Sequence, residues 1–207
     1  MSIELVTTDG IFSLDGEDFE VTNNIWLVGD DREVIVVDAA HDHLPIVEAV
    51  HGRRVALIAL THGHNDHINA AVALAEAVDA PIALHPDDTM LWDVVYPGRT
   101  PDRELAPGEV LRAGGCELGV LHTPGHSPGC CCFWGEAAGV LFSGDTLFCG
   151  GPGATGRSYS DRPTILRSIR QRLLALPGHT VVHTGHGDST TIAAEAPHIE
   201  DLLRSEG

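Results

Sequence analysis

Three histidines and one aspartate fall within six positions of the segment Thr61-His62-Gly63-His64-Asn65-Asp66-His67. This segment directly follows an apolar run, Val55–Leu60, that is typical of a buried strand. Each neutral imidazole offers a nitrogen lone pair to a metal ion, and the aspartate adds anionic charge. Gathering so many polar groups at a strand end is costly unless a cation binds there. The spacing therefore predicts a metal-binding loop.

Three further segments each place one metal-ligating residue type just beyond a predicted strand. Glycines in these segments let the backbone turn tightly, so that a side chain can point across the end of a sheet. The segments are Thr123-Pro124-Gly125-His126-Ser127-Pro128-Gly129, Phe142-Ser143-Gly144-Asp145-Thr146 and His183-Thr184-Gly185-His186-Gly187. With the first segment they supply seven candidate ligands on four loops: His62, His64, Asp66, His67, His126, Asp145 and His186.

The strand and helix patterns predict two blocks of strands with intervening helices. Predicted strands are Ile3–Val6, Phe19–Val28, Glu33–Val37, Val55–Leu60, Pro81–Leu84, Val110–Ala113, Cys116–His122, Gly129–Trp134, Val140–Ser143 and Val181–His183. Predicted helices are Asp42–His51, Asn65–Val78, Asp87–Trp92, Thr164–Ala175 and Ile192–Arg204. The order favours two sheets packed face to face with helices outside, and 207 residues fit one domain, 1–207.

The net charge of −18, with every basic side chain an arginine, argues against a nucleic-acid partner. The sequence contains no apolar run of membrane-spanning length, and its first residues do not resemble a signal peptide. We therefore expect no membrane association and a cytoplasmic location. Five cysteines, three of them consecutive, form a poor disulfide framework. We expect free, buried thiols in a reducing compartment, with Cys130 and Cys132 on one strand face and Cys131 on the other.

The ordered set HxHxDH, H, D and H resembles the metallo-β-lactamase superfamily of hydrolases over roughly residues 12–200. The resemblance implies an αββα sandwich with a two-metal site at one edge of the sheets. By position, it puts one metal on His62, His64 and His126, a second on Asp66, His67 and His186, and Asp145 between both. Nitrogen and oxygen donors with an open position suit zinc, with iron, manganese, nickel or a mixed pair as alternatives.

Asp38, which ends the predicted strand Glu33–Val37, matches a family aspartate that orients the histidine loop. A role as an ordinary turn residue at a strand end is the alternative for Asp38. The other eight histidines are predicted to be surface or packing residues. These are His41, His43, His51, His85, His122, His179, His183 and His198.

The chain contains no GxSxG nucleophile motif, so hydrolysis by metal-activated water is the predicted chemistry, with Asp66 as both ligand and proton shuttle. The segments Gly144–Phe148 and Gly185–Ile192 resemble those of glyoxalase II-type (hydroxyacylglutathione hydrolase-type) thioesterases. The resemblance implies a small-molecule substrate, a thioester of a low-molecular-weight thiol. The family's eukaryotic-type enzymes bind glutathione with basic C-terminal residues, whereas the residues after Ile192 here are mostly acidic or apolar. This difference weakens the expectation of glutathione itself, so a mycothiol-type thiol is the alternative that we expect beside a glutathione-type one.

Three alternatives remain at this point. A persulfide dioxygenase of the same superfamily uses one iron at the first site and keeps much of the ligand set. A lactonase or general esterase shares the fold, and a non-catalytic metal-binding protein could share the ligands. Residues 93–108 and 149–160 are expected to form the rim of the pocket, with Arg157 and Tyr159 as candidate substrate-binding residues.

Overall fold

Two six-stranded mixed sheets form the centre of the structure, a computed structural model that describes residues 2–205. The strands of the first sheet are β1 (Ser2–Leu14), β2 (Glu17–Gly29), β3 (Glu33–Val37), β4 (Arg54–Ala59), β5 (Ile82–Leu84) and β6 (Arg103–Glu104). They lie in chain order, antiparallel from β1 to β3 and parallel from β3 to β6. The helices between the parallel strands are α1 (His43–Val50), α2 (Asn65–Ile68), α3 (Ala71–Val78) and α4 (Thr89–Val95).

The second sheet follows in the sequence. Its strands are β7 (Val110–Ala113), β8 (Cys116–His122), β9 (Cys131–Gly135), β10 (Val140–Gly144), β13 (Val181–Thr184) and β14 (Thr190–Thr191), in the spatial order β14-β13-β10-β9-β8-β7. A short ribbon of β11 (Leu147–Phe148) and β12 (Gly151–Pro152) stands apart from both sheets. The remaining helices are α5 (Arg162–Ser168) and α6 (Ile192–Ser205), and short 3-10 turns cover Pro86–Asp88 and Glu136–Ala138.

Three apolar layers hold the two sheets and their helices together. On β3, Val34 and Val36 face the helices of the first sheet, whereas Ile35 and Val37 face the second sheet. A third layer lies between the second sheet and the helices α5 and α6. Strands buried on both faces need apolar residues at every position, which explains the unbroken apolar runs in the sequence. The fold is the predicted αββα sandwich.

The first hairpin is much longer than predicted. The sequence indicates a strand only over Ile3–Val6, but β1 and β2 pair along 13 residues each. The two strands turn at Asp15-Gly16, where both residues have positive φ values of 56° and 77°, as a tight two-residue hairpin requires. The added length lies mainly in residues 7–14 of β1, of which only Thr8 is buried, so this part of the hairpin carries no continuous apolar run from which it could be predicted. The second strand exceeds the predicted Phe19–Val28 by only two residues at its start and one at its end.

The helix predicted over Asn65–Val78 is interrupted, because α2 ends at Ile68 and α3 begins at Ala71. The backbone N–H of Ala70 donates to Ala39 O at 3.0 Å, and Ala39 N donates to His67 O at 2.9 Å. The break therefore joins the histidine loop to the chain that follows β3. Such a contact between distant segments leaves no mark on local periodicity.

The helix predicted over Thr164–Ala175 also differs in its second half. After α5 ends at Ser168, the chain continues as a π-helical turn over Ile169–Leu173. The apolar positions at helical spacing, Ile165, Ile169 and Leu173, are fully buried against the second sheet, and Leu176 packs there partly buried. The change to a π-helical turn therefore keeps the apolar side of this segment on the sheet.

The five cysteines are free thiols, and four are buried as expected. The predicted burial is wrong for Cys149, which is exposed in the turn between β11 and β12. Cys131 lies between the sheets and Cys132 on the helix side of the second sheet, so these two alternate as predicted. Cys130 precedes β9, and its sulfur lies 3.2 Å from Ser127 N. None of the helices in the described part of the chain has the length and apolar content needed to cross a membrane.

Candidate metal centre

The seven predicted ligands converge at one edge of the sandwich, where β4, β8, β10 and β13 end. The four segments that directly follow these strands carry the seven ligands, so each segment is anchored at its start by a strand of the core. Six of the seven residues are buried, and His186 is partly exposed. The sandwich therefore fixes the backbone positions from which all seven side chains project.

His62, His64 and His126 form one group of nitrogens. His62 Nε2 lies 3.1 Å from His64 Nδ1, which lies 2.9 Å from His126 Nε2. In a four-coordinate site with metal–nitrogen bonds of 2.0–2.1 Å, neighbouring ligand atoms lie about 3.3 Å apart. The group is therefore close to the spacing of a metal site, and a small outward shift would suffice.

Asp66, His67 and His186 form a second group. His67 Nε2 lies 3.2 Å from His186 Nε2. Asp66 Oδ2 lies 3.5 Å from the former nitrogen and 3.3 Å from the latter. These three separations match the edges of a four-coordinate metal site.

Asp145 lies between the two groups. Its Oδ1 is 3.2 Å from His67 Nε2, and its Oδ2 is 3.5 Å from His186 Nε2 and 3.6 Å from His126 Nε2. Of the two carboxylates in these contacts, Asp145 is the one that lies near nitrogens of both groups. A ligand shared by two metal ions needs this position. Asp145 Oδ1 is buried and accepts no well-aligned hydrogen bond, and His64 Nε2 is equally unpartnered. Because buried polar atoms are normally satisfied, this unpaired carboxylate oxygen fits a site built for cations.

The outward nitrogens of three histidines are anchored by hydrogen bonds. His126 Nδ1 donates to Ala154 O at 2.8 Å, His186 Nδ1 to Thr22 O at 2.7 Å, and His67 Nδ1 to Asp38 Oδ2 at 2.9 Å. A donor at Nδ1 leaves the lone pair on Nε2, which points into the centre. Such outer partners are the usual means of fixing tautomer and ring orientation in metal sites.

Asp38 is hydrogen-bonded to the histidine loop. Its Oδ1 accepts from Thr61 N at 2.7 Å, and its Oδ2 accepts from Thr61 Oγ1 at 2.9 Å as well as from His67. The residue has a left-handed backbone, with φ 63°. This carboxylate therefore ties the end of β3 to the start of the histidine segment.

Asp88 has a comparable role that sequence reasoning missed. It is fully buried, and its Oδ2 accepts from Gly63 N at 2.8 Å and from Ser127 Oγ at 2.6 Å. Its Oδ1 accepts from Gly129 N at 2.6 Å. One carboxylate thus joins the His62–His64 loop to the His126 loop. In the sequence Asp88 looks like any acidic residue at the start of a helix, so no local signal identifies it.

Burial and neighbouring charges shift the histidine pKa values of the two groups in opposite directions. Burial lowers the pKa of His64 to about 3, with a further contribution from His126. Burial also holds the pKa of His62 well below its ordinary value. At His186 burial opposes the charge, but Asp145 and Asp66 outweigh it and raise the pKa of this imidazole to about 10. Without cations, the imidazoles of His67 and His186 therefore retain protons near neutral pH, whereas those of His62 and His64 do not.

A small cavity of about 70 Å³ lies beside His64 and His126. One wall comes from the tip of the β1–β2 hairpin, and the other from the loop after β12. The remaining lining residues are Phe12, Leu14, Ala154, Thr155, Arg157, Ser158 and Ser160. The expectation for residues 149–160 agrees with this cavity, whereas residues 93–108 do not line it. Part of that segment forms β6 instead, which pairs with β5.

Arg157 holds the two walls of this cavity together. Its guanidinium pairs with Glu17 Oε2 at 2.6 Å and lies 4.7 Å from the ring centre of Phe19. Beside it, Ser158 N donates to Asp15 Oδ2 at 3.0 Å. Tyr159 is 55% exposed and is not among the lining residues, so the geometry gives it no contact with the cavity.

His85, Asp87 and His122 form another cluster of potential ligands in the described part of the chain. The two rings stack at 4.1 Å and are nearly parallel, at 10°. His122 Nε2 also donates to Pro128 O at 2.9 Å. Lone pairs in parallel ring planes do not converge on one ion, so these residues pack as predicted. His183 likewise packs against Trp26, at 4.3 Å between ring centres.

Comparison with known proteins identifies the family of this architecture. The sequence model of the family described as the metallo-beta-lactamase superfamily matches residues 19–186 of this chain. A curated relative from Haemophilus influenzae, named hydroxyacylglutathione hydrolase GloC, is 31% identical over 189 residues, covering 83% of this chain and 87% of that protein.

Two solved structures are similar over most of the chain. The structure titled BLEG-1 B3 metallo-beta-lactamase superposes with a TM-score of 0.79 at 30% identity, covering 94% of this chain and 99% of the other. The structure titled TTHA1623 in a di-iron-bound form has a TM-score of 0.77 at 34% identity, covering 85% of this chain and 93% of the other. The first title names a β-lactamase and the second names two bound irons.

The two ligand groups are expected to bind metal with different pH dependence. His186, with a pKa of about 10, must lose its proton to bind an ion, so affinity at the second group rises with pH between 7 and 9. The increase is about tenfold per pH unit for each displaced proton. His62 and His64 of the first group add no such pH dependence, because burial lowers their pKa values, that of His64 to about 3, and both are already neutral.

Calorimetric titration of metal-free protein in buffers of different ionisation enthalpy measures this proton release directly. Release of at least one proton with only one of two binding events is the expected result. Equal pH dependence of both events would contradict the division of charge between the groups.

Proposed function

Because the chain belongs to the metallo-beta-lactamase superfamily, we propose that it is a metal-dependent thioesterase. Its substrates are S-acyl conjugates of a low-molecular-weight thiol of glutathione or mycothiol type. The observation that carries the proposal is Asp145, whose carboxylate lies within 3.2–3.6 Å of nitrogens from both ligand groups. The family resemblance supports this choice, because true β-lactamases generally lack a bridging aspartate, whereas the segment Gly144–Phe148 around Asp145 resembles that of glyoxalase II-type enzymes. The hydroxyacylglutathione hydrolase name of the Haemophilus relative supports the same choice.

In this proposal His62, His64 and His126 hold one ion, and Asp66, His67 and His186 hold the other, with Asp145 shared. Two divalent ions, of which zinc suits these nitrogen and oxygen donors, would polarise the thioester carbonyl and make hydroxide available from water at neutral pH. Iron, manganese or a mixed pair is compatible with the same donors. The TTHA1623 structure is titled as a di-iron form.

Asp66 is the residue that we propose for proton transfer. Its Oδ2 faces His67 Nε2 at 3.5 Å and His186 Nε2 at 3.3 Å. The other carboxylate oxygen is then left to accept a proton from the attacking water and deliver it later to the departing thiolate. A buried carboxylate at this position exchanges protons within the site without direct contact with bulk solvent.

We propose that the acyl group occupies the cavity beside His64 and His126. Phe12 and Leu14 give this cavity an apolar wall, and Ser158 and Ser160 give it polar groups. The small volume of about 70 Å³ favours a short acyl chain. The net charge of −18 agrees with a small-molecule substrate and disfavours nucleic acid.

A substrate panel tests the reaction class. We expect thiol release from S-D-lactoylglutathione or an acyl-mycothiol, lost with a chelator and restored by zinc. Hydrolysis of a β-lactam or a homoserine lactone without thioester cleavage would instead assign a lactamase or lactonase. Oxygen uptake with a persulfide, at one iron per chain, would assign the dioxygenase alternative.

Arg157 is expected to influence substrate binding through the walls of the cavity. The variant Arg157→Ala removes both the ion pair with Glu17 and the contact with Phe19, so the hairpin tip loosens. We expect KM to rise several-fold with a smaller change in kcat, because uniform binding is lost. Glu17→Gln should have the same direction of effect, and the exposed Tyr159→Ala should leave KM unchanged. A rise in KM for Tyr159→Ala alone would contradict this assignment.

A further inference from the structure

Asn23 is a buried polar residue that the proposed ligand set does not include. It lies on β2 and is fully shielded from solvent. Its amide Nδ2 lies 3.1 Å from Asp66 Oδ2, 3.3 Å from His67 Nε2 and 3.4 Å from His186 Nε2. These are the three ligand atoms assigned to the second ion. The amide thus approaches the second group from the side of the first sheet.

The other end of this amide is held by His41. His41 Nε2 lies 2.8 Å from Asn23 Oδ1, so the ring must donate to the amide oxygen. On its far side, Asn69 Nδ2 donates to His41 Nδ1 at 3.2 Å, and Asn69 Oδ1 accepts from His41 N at 2.5 Å. The donors all run in one direction, from Asn69 through His41 and Asn23 to Asp66. Each bond fixes the tautomer or amide orientation that the next one requires.

The backbone of His41 is unusual for its residue type. Its φ value is 59°, in the left-handed region that glycine adopts without strain. The ring also presses against the first hairpin: a Cβ at Gly10 would lie 2.1 Å from His41 Nδ1. Only glycine at position 10 therefore leaves room for the imidazole. A strained histidine that needs a glycine opposite it points to a role for the ring.

We propose that Asn23 and His41 are positioning residues for the second metal ion. Asn23 donates to Asp66 Oδ2 and holds this carboxylate with that oxygen facing His67 and His186. His41 keeps the amide in the orientation that allows this donation. Outer partners of this kind typically change metal affinity about 10- to 100-fold when removed. The inference rests on the proposed two-ion site and is independent of the substrate.

The variant His41→Gly separates a positioning role from a structural one. In the metal-free protein two effects on the melting temperature oppose each other, because glycine relieves the left-handed strain but removes the donor to the buried Asn23 Oδ1. The affinity for the second equivalent of Zn²⁺, measured by competition with a chromophoric chelator, should nevertheless fall about 10- to 100-fold. The first equivalent should bind as in the unchanged protein. Asn23→Ala should cause the same selective loss.

His51→Gly is the matched control. His51 is also a left-handed histidine, with φ 53°, but it is exposed at the end of α1. Its substitution should leave both zinc affinities unchanged. Equal second-site affinity in His41→Gly, Asn23→Ala and unchanged protein would overturn the proposal, as would equal losses at both sites. Fewer than two zinc equivalents bound by the unchanged protein would overturn the two-ion site itself, and this inference with it.

Discussion

The convergence of five imidazoles and two carboxylates into one buried edge of the sandwich is the constraint on which the rest of the site depends. Such a cluster is costly in a medium of low polarity unless its lone pairs and charges are matched. Raised pKa values at His67 and His186 mean that protons provide part of this match in the absence of metal. A divalent ion would provide it more completely, because Asp145 Oδ1 is a buried acceptor without a hydrogen-bond partner and would be available as a ligand.

Hydrogen bonds from the surrounding structure fix the segments that carry the ligand side chains. Asp38 ties the histidine segment to the end of β3 through Thr61, and Asp88 ties that segment to the His126 loop. Both carboxylates are nearly or fully buried and accept three hydrogen bonds each. The loops that carry the ligands are thus fixed to each other as well as to the strands. This preorganisation means that little conformational entropy remains to be lost when metal binds.

The candidate ligands could be predicted from the sequence because each stands in a short, glycine-punctuated segment directly after an apolar run. The two-sheet architecture could be predicted from the two blocks of strands with intervening helices together with the family resemblance, and the burial of β3 on both faces agrees with it. By contrast, Asn23 and Asp88 act through contacts with residues that lie between 18 and 163 positions away along the chain, so nothing in their own neighbourhood distinguishes them. The outer half of the first hairpin and the break after Ile68 also depend on contacts between distant segments. The local sequence pattern therefore did not predict either feature.

Anomalous X-ray diffraction from crystals of the metal-loaded protein tests the central claim most directly. The account predicts two peaks roughly 3.5–4 Å apart, the usual separation in two-metal sites. One should lie among His62, His64 and His126, the other among Asp66, His67 and His186, with Asp145 between them. A single peak at full metal loading, or a second peak bound outside these residues, would contradict a two-ion hydrolytic centre.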